Sequence, residues 1–157
     1  MKDVNVEKVV RELIDKTVHL SLATVDNNAP WVCEVHFAYD DTLNLYFRSL
    51  KSRRHSQEIA NNPNVAGNII DKYGLGEPVA GVYFEGTAEL LSAGNEQNIA
   101  ADCLKTRLGI ADDIVDETVS EDGHQFYKIA VTNWYVFGRF GGTSGQKYKL
   151  EWNGGKS

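Results

Sequence analysis

A chain of 157 residues with 42% hydrophobic and 24% charged residues has the composition of one globular domain, residues 1–157, with room for a real core. A net charge of −6 and a pI near 5.2 exclude a general nucleic-acid binder, which needs basic charge spread over a whole face. No apolar run approaches the ~20 residues of a membrane span, and the opening MKDVNVEKVVREL is charged and helical rather than a signal peptide, so a cytoplasmic protein is expected.

Val6, Val9, Val10, Leu13 and Ile14 recur at helical spacing and predict an amphipathic helix over 4–16. TVHLSLATV (17–25) and WVCEVHFAY (31–39) read as strands, joined by an Asn-rich turn that Pro30 closes. After the DDT turn (40–42), LNLYFRS alternates: Leu43, Leu45 and Phe47 share one face, and Asn44, Tyr46 and Arg48 the other. Residues 17–49 are thus expected as a three-stranded antiparallel meander. SRRHSQEIA then reads as a short helix, N-capped by Ser52 and ended before Pro63. VAGNII (65–70) and VAGVYFEGTAELL (79–91) follow as strands, and Gly86 inside the second predicts a bulge or bend. A full helix over 95–108 stops at Gly109. The acidic stretch beyond it lacks the spacing of a calcium loop and reads as a solvated helix and turn. Strands over 124–138 and 146–152 complete the chain before a frayed NGGKS tail. Six or seven alternating strands with helices between them predict a mainly β, α+β fold: an antiparallel barrel with peripheral helices.

The chemistry concentrates at one place. Arg48, Lys51, Arg53 and Arg54 fall within seven residues at the expected start of a helix, whose N–H groups and partial positive charge favour an anion. A phosphate, held also by the hydroxyls of Ser49 and Ser52, is the natural guest, although a solvated basic turn would also account for the cluster. No metal site is expected: the four histidines are scattered, and Cys33 and His36 point to opposite faces of their strand. Two cysteines, Cys33 and Cys103, with no CxxC read as free thiols. No nucleophile motif stands out and no catalytic residue is assigned. Glu34 and His36 share a polar strand face that any half-buried strand would have. Trp134, Tyr135, Phe137 and Phe140 read as core, as interface, or as a flat wall for a ring.

The meander HLSLATVDNNAPWVCEVHFAYDD, the segment LNLYFRSLKSRRHSQEIANNPNV and VYFEGTAELL together resemble the pyridoxamine phosphate oxidase-like family of flavin-binding split barrels. The likeness covers about residues 15–92, and its carrier is the order YFRS, SRR, NPNV. It implies a six- to seven-stranded split β-barrel that binds FMN, as a flavin-dependent oxidoreductase of unknown substrate. It places Ser52, Arg53 and Arg54 on the phosphate, Phe47, Arg48 and Ser49 at a strand end touching the cofactor, and Val35, His36 and Phe37 along the flavin ring. It also implies a homodimer whose sites use both chains, with Trp134 and Arg139 expected to cover the partner's ring. The vitamin-B6 oxidases proper carry an Arg and a Lys where this chain has Val32 and Phe37, and a ring-touching Gln at the place of Gly81. They also have an arginine-rich C-terminal segment that is missing here, so pyridoxamine phosphate is not implied as substrate. A flavin- or haem-binding carrier or sensor without turnover, or a deazaflavin in place of FMN, are the alternatives.

Overall fold

A computed structural model describes residues 4–110, 123–138 and 147–155. In chain order the elements are α1 (Val6–Ile14), β1 (His19–Asp26), β2 (Ala29–His36), β3 (Ala38–Tyr39), β4 (Leu45–Ser49) and α2 (Arg54–Asn61). They continue with β5 (Asn64–Ile70), β6 (Gly81–Leu90), α3 (Asn95–Leu108), β7 (Gln125–Phe137) and β8 (Lys147–Glu151). The acidic stretch 111–122 and the glycine-rich stretch 139–146 lie outside the described residues.

The β1–β2 hairpin turns on Asn27 and Asn28, with φ of 49° and 61°. Both are left-handed, as the tightest hairpin turn requires, and asparagine tolerates this better than most residues. The register runs to Asp26 opposite Ala29, so Pro30 pairs with Val25 inside β2 rather than closing the turn. A proline is tolerated there because β2 has only one hydrogen-bonded neighbour among the described residues.

The strand expected over 31–39 is two strands. β2 stops at His36, the Phe37 N–H donates to the Val18 carbonyl at 2.8 Å, and Ala38–Tyr39 then pair with β4. The buried Phe37 ring, 0% exposed, pins this corner. The antiparallel sheet therefore has eight strands among the described residues, in the order β2-β1-β5-β6-β7-β4-β3, with β8 on β7. Because its two ends are consecutive in the chain, the sheet curls into a barrel. β2 and β4 are not hydrogen-bonded to each other, so the expected three-stranded meander divides and a split opens between them.

Inside the barrel lie Leu20, Leu22, Phe37, Phe47, Phe84 and Trp134, none more than 2% exposed, with α1 closing one side through Val10 and Ile14. The bulge expected at Gly86 is present: the register shifts between Glu85 and Gly86, and a Cβ at Gly86 would collide with the Ala130 carbonyl. α3 ends as expected on Gly109, left-handed at φ 63°. Its buried residues Ala100, Ala101 and Leu104 cover the outer side of β4, packing on Tyr46 and Phe126. β4 is consequently buried on both faces, and the Tyr46 hydroxyl is satisfied by Asp40 at 2.8 Å. α2 starts one residue later than expected. The Arg53 N–H closes a turn onto the Leu50 carbonyl (3.1 Å), so Arg53 is the N-cap and Ser52 is left exposed in the turn. No helix among the described residues is long and apolar enough to cross a membrane.

Candidate functional site

The split between β2 and β4 opens into a cleft of about 610 Å³. β2 supplies one wall through Trp31, Cys33, Glu34, Val35 and His36. The end of β4 and the start of α2 supply Arg48, Ser49, Leu50, Arg53, Arg54 and His55. The C-terminal end of α3 adds an apolar flank, Leu104, Leu108 and Ile110, and His124 enters just before β7. This volume is in the range of small-molecule and cofactor sites.

Three guanidiniums thus converge where α2 begins, and no side chain among the described residues caps that helix. Arg54 is held in place: its Nε donates to Glu58 Oε1 at 2.9 Å, and its guanidinium lies over the Trp31 ring, 4.3 Å from the centroid. Glu58 is 6% exposed and accepts from Thr24 Oγ1 at 2.5 Å through its second oxygen. The Thr24 hydrogen bond, and after it Arg54, hold the Glu58 carboxyl below the usual carboxylate range. A buried hydroxyl on β1 thereby fixes a carboxylate on α2, which fixes an arginine at the mouth of the cleft. Arg53 is exposed and makes no ion pair among the described residues.

His55 is 9% exposed, and its Nε2 lies 2.7 Å from Ser49 Oγ. Burial, reinforced by the Arg53 charge, pushes its pKa below the ordinary histidine value, so it is neutral at pH 7. Burial first, then Glu34 and Glu58, push the Cys33 thiol up, which makes it a poor nucleophile. Glu34 accepts from the Ser21 hydroxyl, and the His19 and His36 rings face each other across the strand pair with centroids 6.0 Å apart. Among the described residues no three His, Cys, Asp or Glu side chains are grouped to hold a metal ion. The arrangement can bind an anionic group at the α2 end and a flat apolar body along β2 and α3.

Six of the anticipated residues line this cleft: Val35, His36, Arg48, Ser49, Arg53 and Arg54. Phe37 and Phe47 do not, since both side chains are 0% exposed in the barrel core; only their backbones stand near the split. Ser52 lines neither this cleft nor the next, and Lys51 borders a separate cavity on the other side of α2. Trp134 needs correction. It is 0% exposed and packs on Phe84, with ring centroids 5.8 Å apart, inside its own chain's core. The alternation of β7 turns it inward, so its ring is not on offer to a partner's cofactor. Arg139 lies outside the described residues. The missing glutamine at Gly81 also has a physical reason. A Cβ there would sit 2.7 Å from the Ile69 carbonyl and 2.8 Å from the Phe137 ring, so no side chain fits without a shift.

Sequence reasoning missed Trp31, Cys33, His55, His124 and the α3 flank as lining residues. His55 stands inside the basic cluster and could have been flagged there. Leu104 and Leu108 carry only the i, i+4 spacing of an ordinary buried helix face.

Solved structures similar to this chain place the fold in context. A haem-binding protein from Mycobacterium smegmatis matches with a TM-score of 0.76 at 17% identity, over 96% of this chain and 60% of that one. The haem storage protein HutZ from Vibrio cholerae matches with a TM-score of 0.67 at 15% identity, over 95% of this chain and 96% of that one. An FAD-binding protein from Mesorhizobium loti matches with a TM-score of 0.65 at 18% identity, over 83% of this chain and 90% of that one. At these identities the likeness is one of fold, and this chain spans only about three fifths of the mycobacterial protein. No curated protein matches the chain in sequence. The sequence pattern of the family described as pyridoxamine 5'-phosphate oxidase matches residues 6–138, most of the described barrel, and the chain belongs to that family.

Proposed function

We propose that the cleft binds FMN and that the protein is a flavin-dependent oxidoreductase working as a homodimer. The observation that carries this reading is the uncapped start of α2 with Arg53 and Arg54 beside it, at one end of a cleft whose flanks are apolar. A dianionic phosphate matches that donor set: backbone N–H groups, guanidinium forks and the Ser49 hydroxyl. Arg54 needs no reorganisation to serve, because Glu58 and Trp31 already hold it. The β2 backbone from Glu34 to His36 would run beside the ring, and Leu104 and Leu108 would keep water from its edge. FMN supplies the redox chemistry, and the chain supplies anchoring, orientation and exclusion of water.

A second reading is haem binding without turnover. It is favoured by His36 and His124 lining the same cleft as the arginines, a combination of imidazole and cationic groups that suits an iron porphyrin carboxylate. The fold likeness to two haem proteins supports it as well. The visible spectrum of the purified protein, as isolated and after incubation with each cofactor, separates the readings. Flavin bands that persist through gel filtration support FMN. A sharp Soret band with no retained flavin overturns it in favour of haem.

A further inference from the structure

A second cavity, of about 500 Å³, lies across α2 from the first and is unrelated to it in lining. Its body is apolar: Ile59 and Ala60 from α2, Pro63, and Ala88 and Leu90 from the end of β6. Its polar part is small. Ser56 is 3% exposed, and its Oγ has no hydrogen-bond partner among the described residues. The Tyr127 phenol lies close to that hydroxyl without reaching bonding geometry. Lys51 stands on the rim with no ion pair among the described residues.

A buried hydroxyl without a partner is costly unless something that enters the cavity satisfies it. Here the hydroxyl can donate and the ammonium can only donate, so the one group that serves both is an acceptor carrying negative charge. Glu89 on the same rim repels further negative charge, which disfavours a phosphate or a dicarboxylate. We propose that this cavity binds a small apolar monocarboxylate. Its carboxylate meets the Ser56 hydroxyl and the Lys51 ammonium, and its hydrocarbon body lies over Ile59, Ala60, Pro63, Ala88 and Leu90. Since Ser56 follows His55 directly, a ligand here also touches the helix turn that borders the first cleft.

The test is a titration of the full chain with 4-phenylbutyrate, followed by backbone amide shifts and by calorimetry. Saturable shifts at Ser56, Gln57, Ala60, Ala88 and Leu90 are expected, with 4-phenylbutyramide at least about tenfold weaker. The double variant Lys51→Gln/Ser56→Ala should fold, because Ser56 Oγ makes no bond to lose, and should weaken the acid about tenfold or more. Arg53→Ala/Arg54→Ala, in the first cleft, should leave the affinity for the acid unchanged. The proposal is overturned by the absence of saturable shifts up to about 20 mM, by shifts confined to the first cleft, or by wild-type affinity in Lys51→Gln/Ser56→Ala.

Discussion

Thr24, Glu58 and Arg54 form a relay in which each residue acts through the next. Replacing Thr24 by valine keeps the shape but leaves a buried carboxylate short of one hydrogen bond, at a cost of about 1–3 kcal/mol. Thermal unfolding should show the loss, and an unchanged midpoint would mean that Glu58 is satisfied elsewhere. His55 gives the pH dependence. Its folded-state pKa is lowered, so the unfolded chain takes up a proton first as the pH falls. The stability it contributes is whole above the ordinary histidine pKa of about 6.5 and declines below it. Glu58, also lowered, begins to count only below its ordinary value near 4.5. Between pH 7 and 5 the melting temperature should therefore fall, and His55→Gln should flatten that slope. The basic residues of the site were legible in the sequence because their charge is local. The relay was not: Thr24 and Glu58 are 34 residues apart and nothing in either segment announces the other.

At the scale of elements, the pattern of alternation and turn residues was enough to place nearly every strand and the ends of α3. Two details were not legible. Ser52 has the right chemistry for an N-cap, but the Leu50–Arg53 turn decides where α2 begins. The break at Phe37 leaves no mark in WVCEVHFAY, because both halves keep the same alternation and only their partners, β1 and β4, differ. The cleft owes its existence to that break. α3 then matters twice, as cover for β4 and as flank of the cleft. Leu104→Ala, at a position 1% exposed, should cost about 2–5 kcal/mol of stability. Leu108→Ser, at a half-buried position, should instead weaken ligand binding while moving the melting temperature little. Equal effects of both on stability would place Leu108 in the core rather than in the site.

At the scale of the molecule, the antiparallel barrel and its family follow from the order of short segments, none of them specific alone. The shared-site expectation fares less simply. Trp134 is open to core, interface or ring wall in the sequence because burial cannot be told from composition, and the barrel absorbs it completely. Among the described residues the cleft is covered by β2, the end of β4, α2 and α3, and a second copy is the candidate for further cover over a ring lying in it. Light scattering at micromolar concentration should give twice the 17.5 kDa chain mass if a second copy supplies that cover. A monomer that retains flavin tightly would contradict a shared site.

The central claim is that the α2 start anchors a phosphate, and a comparison of FMN with riboflavin tests it most directly. Flavin fluorescence titrations of the wild type and of Arg53→Ala/Arg54→Ala form a cycle in which only the phosphate and its two arginines change. FMN should bind the wild type at least about a hundredfold more tightly than riboflavin, on a scale of ~1.5–3 kcal/mol for each charged hydrogen bond, and the double variant should lose most of that difference. Equal affinities for FMN and riboflavin in the wild type, or an FMN preference that survives in the double variant, would contradict it.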